Sequence, residues 1–292
     1  MATSNLIKNR INTLKTEYDQ LKKGKESLLK IIDEAELSES VFNSNAIENS
    51  TLTLKETEKI LLDQEVSRDV SVREVFEAKN LAIVMEYISS KVQTINLNEE
   101  LILLLHQMLL GNIDISVSGR FRKEHEYVRI GTHIASPPEH IQRLIENALL
   151  EFSSNLDSYS ADKIAKFHLD FESIHPFNDG NGRIGRVLIN FQLLQLGLPM
   201  IIIRDKEKKA YYASFGQYRD SKNTKALEKI ITLSLLESLH KRIAYLSGMT
   251  IISLADFNKK DNRSLHTLIN SARRQTIPAF REKGVWKIGV SK

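Results

Sequence analysis

Between Ser173 and Arg186 the chain reads Ser-Ile-His-Pro-Phe-Asn-Asp-Gly-Asn-Gly-Arg-Ile-Gly-Arg, the densest run of reactive side chains in the sequence. Asp179-Gly-Asn-Gly182 is a cluster of turn formers that leads straight into an apolar-periodic stretch. The N–H groups of residues 180–183 would then project from the positive end of a helix and make an anion cradle. Glycine lets the backbone approach a phosphate closely and tolerates positive φ. Arg183 and Arg186 are three apart, so they share one helix face beside the cradle, and guanidinium forks suit phosphate oxygens. Asp179 is a hard oxygen ligand fit for Mg²⁺, and His175 can take a proton near neutral pH. Together these are the parts of a phosphoryl- or nucleotidyl-transfer site. The bland alternative is a structural loop with a capping Asp and surface arginines. It suits a lone Gly-x-Gly, but not His, Asp, Asn, two glycines and two arginines within twelve residues. A metallohydrolase built on His168, Asp170, His175 and Asp179 is disfavoured, because the arginines would repel a bare cation. No Gly-Lys-Ser/Thr follows, which excludes a Walker loop.

Helices must position this segment. Ile164, Phe167 and Phe171 precede it, and Val187, Leu188 and Phe191 follow it, at helical spacing. Thr53-Leu-Lys-Glu56 and Ser71-Val-Arg-Glu74 have capping-box spacing, with Val75, Phe76, Lys79, Ala82, Ile83 and Glu86 as a mixed amphipathic period after the second. Asn98 opens another helix closed by Gly111, and further helices are predicted over 138–153, 161–173, 183–196 and 223–247. Gly119 to Pro138 breaks the helical period. Tyr127-Val-Arg-Ile130 is short, β-prone and bounded by glycine, which predicts a small hairpin or flap.

The 292 residues include no cysteine, which excludes a disulfide scaffold, a thiolate-zinc module and a cysteine nucleophile. The longest apolar runs fall far short of a membrane helix, and the start lacks an apolar signal core, so a soluble cytoplasmic protein with no membrane partner is the expectation. The net charge of +4 is uneven: residues 251–292 hold nine Lys/Arg against three Asp/Glu, and the rest of the chain sums to −2. Any nucleic-acid argument therefore belongs to the tail.

The segment from His175 to Arg186 resembles the complete motif of Fic-domain proteins, His-x-Phe-x-Asp/Glu-Gly-Asn-Gly-Arg-x-x-Arg, at every specified position. The resemblance implies an all-α fold: a Fic-type helical core with a small β-hairpin flap. It also implies transfer of AMP from ATP, with Mg²⁺, to a hydroxyl side chain of a target protein. By motif position His175 would be the general base and Phe177 a buried anchor. Asp179 would bind Mg²⁺, and Gly180, Asn181 and Gly182 would form the anion hole. Arg183 would hold the phosphates and Arg186 the γ-phosphate. Glycines on both sides of Asn181 favour the nucleotidylating members over those that act as kinases. In this family the flap docks the target peptide by strand addition, for which Tyr127, Val128, Arg129, Ile130, Gly131 and Thr132 are the candidates. Tyr211-Tyr212 resembles a tyrosine pair that contacts the nucleoside, although the residues after it depart from the family's pattern and a packing role competes.

Upstream, Ser44-Asn-Ala-Ile-Glu48-Asn49 resembles the inhibitory Ser/Thr-x-x-x-Glu-Asn motif of the same family, in the class that carries it on an N-terminal helix. A carboxylate paired with Arg186 would occupy the γ-phosphate's place. The expected organisation is an N-terminal helical region over 1–94, a core over 95–247 and a basic tail over 248–292. The tail reads as two short helices and a hairpin with Trp286 as apolar plug, and looks like a winged helix-turn-helix, with Arg273, Arg274 and Arg281 as candidate DNA contacts. The leading function is a self-inhibited protein adenylyltransferase. The alternatives are a nucleotide-sensing DNA-binding regulator and removal of AMP at the same site, and a homo-oligomer stays open.

Overall fold

Side-chain caps open five of the helices among the described residues. The computed structural model describes residues 3–66, 69–131, 133–259 and 263–291. Twelve α-helices carry the fold among the described residues: α1 Asn5–Leu21, α2 Glu26–Ile47, α3 Leu54–Glu58, α4 Val72–Lys91, α5 Glu99–Leu110, α6 Ile141–Ser154, α7 Ser160–Ile174, α8 Asn181–Gln195, α9 Lys208–Ser221, α10 Lys225–Leu246, α11 Leu254–Asn258 and α12 Leu265–Arg273. Thr53 and Glu56 form the full reciprocal capping box. The Asn98 side chain accepts from the Leu101 N–H at the head of α5, as its spacing predicts. The second predicted box is only half made. Ser71 caps α4, but the Glu74 carboxylate reaches across to Ser50 and Thr51 instead. The predicted α4 period also shifts: Ala78, Leu81, Met85 and Ile88 line the buried face, while Ile83 is half exposed.

Two hydrophobic cores lie on opposite sides of α7 and α8. One joins Val41, Leu81, Ile88, Ile102 and Leu105 to Phe167, Phe171, Phe177, Val187 and Phe191. The other joins Ile11 and Tyr18 of α1 to Ile164, Leu193, Tyr211, Leu235 and Leu239. Twelve of the fifteen residues of α8 are buried, as expected for a helix clasped on all sides. That clasp holds the loop between α7 and α8 rigid. The flap is a two-stranded antiparallel hairpin, β1 Arg129–Ile130 with β2 His133–Ile134, pairing Arg129 with Ile134 and Ile130 with His133.

After α10 the chain forms the two short helices and hairpin expected of the tail, plus one strand the sequence reading missed. β3 Thr250–Ser253, β4 Ala279–Glu282 and β5 Val285–Val290 make an antiparallel sheet in the order β3-β5-β4. Leu254, Leu268, Ala272, Ala279 and Ile288 fill its core. Trp286 is not the plug. It packs at the margin of that core, with the Arg281 guanidinium 4.7 Å from its ring centre. Among the described residues, no helix is long and apolar enough to cross a membrane.

Candidate active site

α7 ends at Ile174, and His175 turns the chain out of it in the left-handed conformation, φ 52°. That conformation costs a non-glycine residue on the order of 1–2 kcal/mol, so the surroundings must enforce it. Three contacts do. Asn181 exchanges two hydrogen bonds with the Phe177 backbone, its Oδ1 accepting at 2.9 Å and its Nδ2 donating at 2.8 Å. The Phe177 ring is fully buried and stacks on His106 at 3.6 Å. His106, in the middle of apolar α5, is within 3.0 Å of the Asp179 carbonyl through Nε2, while its Nδ1 accepts from the Gly119 N–H. Burial holds this ring's pKa down to about 4, so it bridges the two backbone segments as a neutral imidazole.

Gly180 then enters α8 at φ 81°, where a Cβ would stand 3.0 Å from Leu109. Residues 181–183 supply the first N–H groups of α8, which have no acceptor within the helix, whereas the Gly180 N–H, counted in the predicted cradle, donates to Asp179 Oδ1 at 2.6 Å. The Asn181 side chain is not part of it, being spent on closing the loop behind.

Arg186 is 6% exposed and points at the end of α2. Its Nε donates to the Ser44 hydroxyl at 2.9 Å, and its Nη2 donates to the Ser44 carbonyl at 2.8 Å and to Glu48 Oε1 at 2.9 Å. Burial works against the cation, but the Glu48 carboxylate and the Tyr211 hydroxyl raise its pKa further, so it stays charged. The same carboxylate lies over the cradle: a Cβ on Gly182 would fall 2.2 Å from Glu48 Oε1. Glu48 reaches this spot because α2 stops there. Asn49 takes φ 70°, the usual way for Asn to end a helix, and its side chain accepts from Lys208 at 2.7 Å. Glu74 holds the next two residues through the Ser50 hydroxyl and the Thr51 N–H. Ser44 and Glu48, more than 130 residues before Arg186 in sequence, thus contact it directly, while the Asn49 side chain turns to Lys208.

The tyrosine pair divides. Tyr211 is fully buried behind Arg186, with its hydroxyl 2.8 Å from His168 Nε2 and 3.5 Å from Arg186 Nη1. It supports the arginine and cannot face a nucleoside. Tyr212 is 39% exposed and donates to the Ile47 carbonyl at 3.0 Å, tying α9 to the end of α2.

Four residues of the site escaped the sequence reading. Arg73 of α4 is ion-paired with Asp179, and Glu77 of the same helix lies 3.1 Å from Arg183 Nη1. Asp179 also accepts from Arg183 Nη2 at 3.0 Å, and the two arginines hold its pKa below the usual carboxylate range against the effect of burial. Arg122 donates to the carbonyls of His175, Glu126 and Ser136, which fastens the loop after α7 to both ends of the flap. His106 is the fourth. Each could have been suspected only as an isolated polar residue on an apolar helix face or beside a glycine.

Asp179 is ionised, partly open and at the mouth of the cradle, which suits one ligand position on Mg²⁺. No group of three or more His, Asp or Glu able to hold a metal occurs among the described residues. A cation here would complete its shell with phosphate oxygens and water, so the residues fit a nucleotide-borne Mg²⁺ and not a resident metal. His168 and Asp170, weighed above as metal ligands, are engaged with Tyr211 and with Lys166 and Tyr218.

The flap places Tyr127 at 55% exposure beside β1, with the outer edge of Arg129–Ile130 away from β2. Thr132 lies outside the described residues. In the tail, Arg273 and Arg274 are exposed, but Arg281 is turned inward. It pairs with Glu237 at 2.6 Å and with Glu207 at 3.0 Å, so it anchors the tail to α10 and is not free to meet a phosphate backbone.

Residues 96–193 match the Fic/DOC family. A protein adenylyltransferase Fic of Drosophila willistoni is 34% identical over 177 residues, which is 59% of this chain and 35% of that protein. The Drosophila erecta counterpart is 32% identical over 213 residues, 71% of this chain and 43% of that one. The chain therefore spans less than half the length of the curated relatives it matches. A crystal structure of a Fic-domain signalling protein from Bacteroides thetaiotaomicron superposes with a TM-score of 0.72 at 26% identity, covering 82% of this chain and 97% of that one. A Fic-family protein from Desulfovibrio desulfuricans shares the fold over 100% of this chain and 98% of its own, with a TM-score of 0.68 at 19% identity.

Proposed function

We propose that this Fic/DOC-family protein is a self-inhibited protein adenylyltransferase, which moves AMP from ATP to a Ser, Thr or Tyr hydroxyl of a target protein. The observation that carries the reading is the Glu48 carboxylate on Arg186, 2.9 Å away and directly over the Gly182 backbone. An anion cradle, a buried arginine and a protein carboxylate that fills their shared space are what a regulated phosphate site requires.

The residues divide the work as follows. The N–H groups at the start of α8 and Arg183 receive phosphate oxygens, and preorganised donors of this kind stabilise charge as it develops. Mg²⁺ at Asp179 would neutralise phosphate charge and steady the leaving pyrophosphate. Arg186 would clamp the γ-phosphate once Glu48 withdraws. Burial holds the His175 pKa down to about 4, so the ring is neutral at physiological pH and free to accept the proton of the attacking hydroxyl. The open edge of β1 offers a seat for an extended target segment, and Arg122 keeps that seat in register with His175.

The test uses the Glu48→Gly protein, with mass-shift detection of AMP on hydroxyl side chains. Adding His175→Ala should lower transfer by roughly 10²- to 10⁴-fold while ATP binding persists, since only the proton acceptor is lost. Undiminished transfer by the double variant would remove His175 from the mechanism.

A further inference from the structure

α7 and the turn after it stack three titratable groups on one face: His168, Glu172 and His175. Glu172 Oε2 lies 3.9 Å from His175 Nδ1, and Oε1 lies 3.8 Å from His168 Nε2. Glu172 is 7% exposed and its Oε1 has no hydrogen-bond partner in the protein, while the His175 and His168 rings face the backbone of Glu172 and of Gly185 without a well-formed hydrogen bond at either Nδ1. A buried carboxyl left this way is costly and calls for a reason. Space for it is made by Gly185, where a Cβ would come within 2.6 Å of Glu172 Oε1 and 2.7 Å of His168 Cε1.

We infer that Glu172 is a positioning residue for His175: its carboxylate accepts the Nδ1–H, which fixes the ring and leaves Nε2 unprotonated toward the attacking hydroxyl. This rests on His175 being the base, as proposed above. With Nδ1 buried and the side chain still 22% exposed, Nε2 is the one ring nitrogen a substrate can reach. The 3.9 Å gap is about 1 Å longer than a hydrogen bond, and such contacts commonly tighten when substrate arrives. In the transfer step the hydroxyl oxygen bonds to the α-phosphorus, the bond to pyrophosphate breaks, and the hydroxyl proton passes to Nε2. The imidazolium so formed faces the Glu172 carboxylate.

The neighbours make this pairing sensitive to the brake. The Glu172 carboxyl faces His168 and His175 on its own element, Arg186 of α8 and Glu48 at the end of α2, with the Tyr211 hydroxyl of α9 beyond His168. The His175 ring faces the Glu172 backbone, Arg122, Glu48 and His133. Burial and the Glu48 carboxylate push Glu172 up to about 8, while Arg186 opposes them. With Glu48 in place the carboxyl is mostly protonated and cannot accept from Nδ1–H. Burial is the larger cause, and removing Glu48 takes away the second, which lowers the pKa and favours the carboxylate.

The experiment compares Glu48→Gly with Glu48→Gly/Glu172→Gln in the full chain, recording kcat and KM for ATP between pH 6 and 9.5, the thermal midpoint, and the His175 Nδ1 signal by NMR over the same pH range. The expected result is a fall in kcat of about tenfold or more with KM and midpoint unchanged, together with loss of the rising limb that Glu172 ionisation gives the pH profile. The His175 Nδ1 signal should follow the Glu172 titration in Glu48→Gly and lose that step once the carboxylate is gone. Equal kcat and an unaltered profile would overturn the inference while leaving the transferase reading intact. If Glu48→Gly transfers no AMP at all, that reading fails instead, and the NMR comparison alone decides: a His175 Nδ1 signal that follows the carboxyl titration upholds the pairing, one that ignores it refutes it. Should Glu172→Gln not fold, Glu172→Asp replaces it. A carboxylate one methylene further off should keep the limb but lower kcat, and an unchanged kcat counts against the inference.

Discussion

Glu48 and Gly182 are fitted to each other: the carboxylate oxygen occupies the place that any side chain at 182 would take, 2.2 Å from an added Cβ. A brake built on this contact, as proposed above, would act through volume as well as charge. Glu48→Gln keeps the volume and replaces a charge-assisted bond by a neutral one, a difference of about 1–2 kcal/mol. AMP transfer by Glu48→Gln should therefore lie between wild type and Glu48→Gly. Rates from labelled ATP with one common target check the order. Glu48→Gln matching wild type would mean that bulk alone excludes the γ-phosphate.

Arg73 shields the one carboxylate suited to Mg²⁺, lying on Asp179 from a half-exposed position on α4. Arg73→Ala should free that oxygen for the cation. In the Glu48→Gly background the Mg²⁺ concentration for half-maximal transfer should drop several-fold, with little change at saturating Mg²⁺. A rise would show that Arg73 binds phosphate and does not guard the metal position.

The tail is fastened by ion pairs buried against α10. Glu237 sits between Arg204 at 3.0 Å and Arg281 at 2.6 Å. Arg281→Ala would leave that carboxylate short of a partner, at a cost of about 3–5 kcal/mol. The thermal midpoint should drop, and amide exchange should quicken in β3–β5 first. Glu237→Gln combined with Arg281→Ala should be less harmful than Arg281→Ala alone, and simple additivity of the two changes would contradict the pairing.

Acid should unfold the protein through its interior histidines. Burial lowers the pKa of His106, His175 and His240 to about 4 and that of His168 to about 3. In the unfolded chain these rings protonate near 6.5, so their contribution to stability is present above 6.5 and is lost as the pH falls toward 4. The loss is on the order of 1–2 kcal/mol per ring at pH 5. Glu172 acts with the opposite sign: raised to about 8, it contributes below the unfolded carboxylate pKa and loses that contribution as the pH rises through 8. Thermal midpoints from pH 4 to 9 should therefore peak near neutrality, and a flat curve between 6.5 and 5 would contradict the burial of these rings.

What could be read from the chain divides along physical lines. The loop from His175 to Arg186 was legible because local geometry dictates its residue types: glycine where the backbone turns left-handed, arginines one helical turn apart. Ser44, Glu48 and Asn49 stood out only through the resemblance to a family motif, and no local period leads from them to Arg186, which Ser44 and Glu48 contact. Arg73, Glu77, His106 and Arg122 were not legible, because each acts through a partner more than 50 residues away that no local period reveals. Tyr211 was a candidate for the nucleoside with packing as the competing role, and it is buried in the core it shares with α1 and α10; burial of that kind follows from helix packing and not from neighbouring sequence. Arg281 counted as a surface charge until the position of Glu237 was known.

The most direct test of the account is the rate of AMP transfer by Glu48→Gly against wild type, with labelled ATP, the same lysate and the same protein concentration. Freeing Arg186 from a charge-assisted contact predicts a rise of roughly 10- to 100-fold, onto targets and onto the protein itself. Arg186→Ala placed in the released protein should silence it again. If Glu48→Gly transfers no more AMP than wild type to any substrate, including itself, then the contact between Glu48 and Arg186 is structural and the proposed brake does not exist.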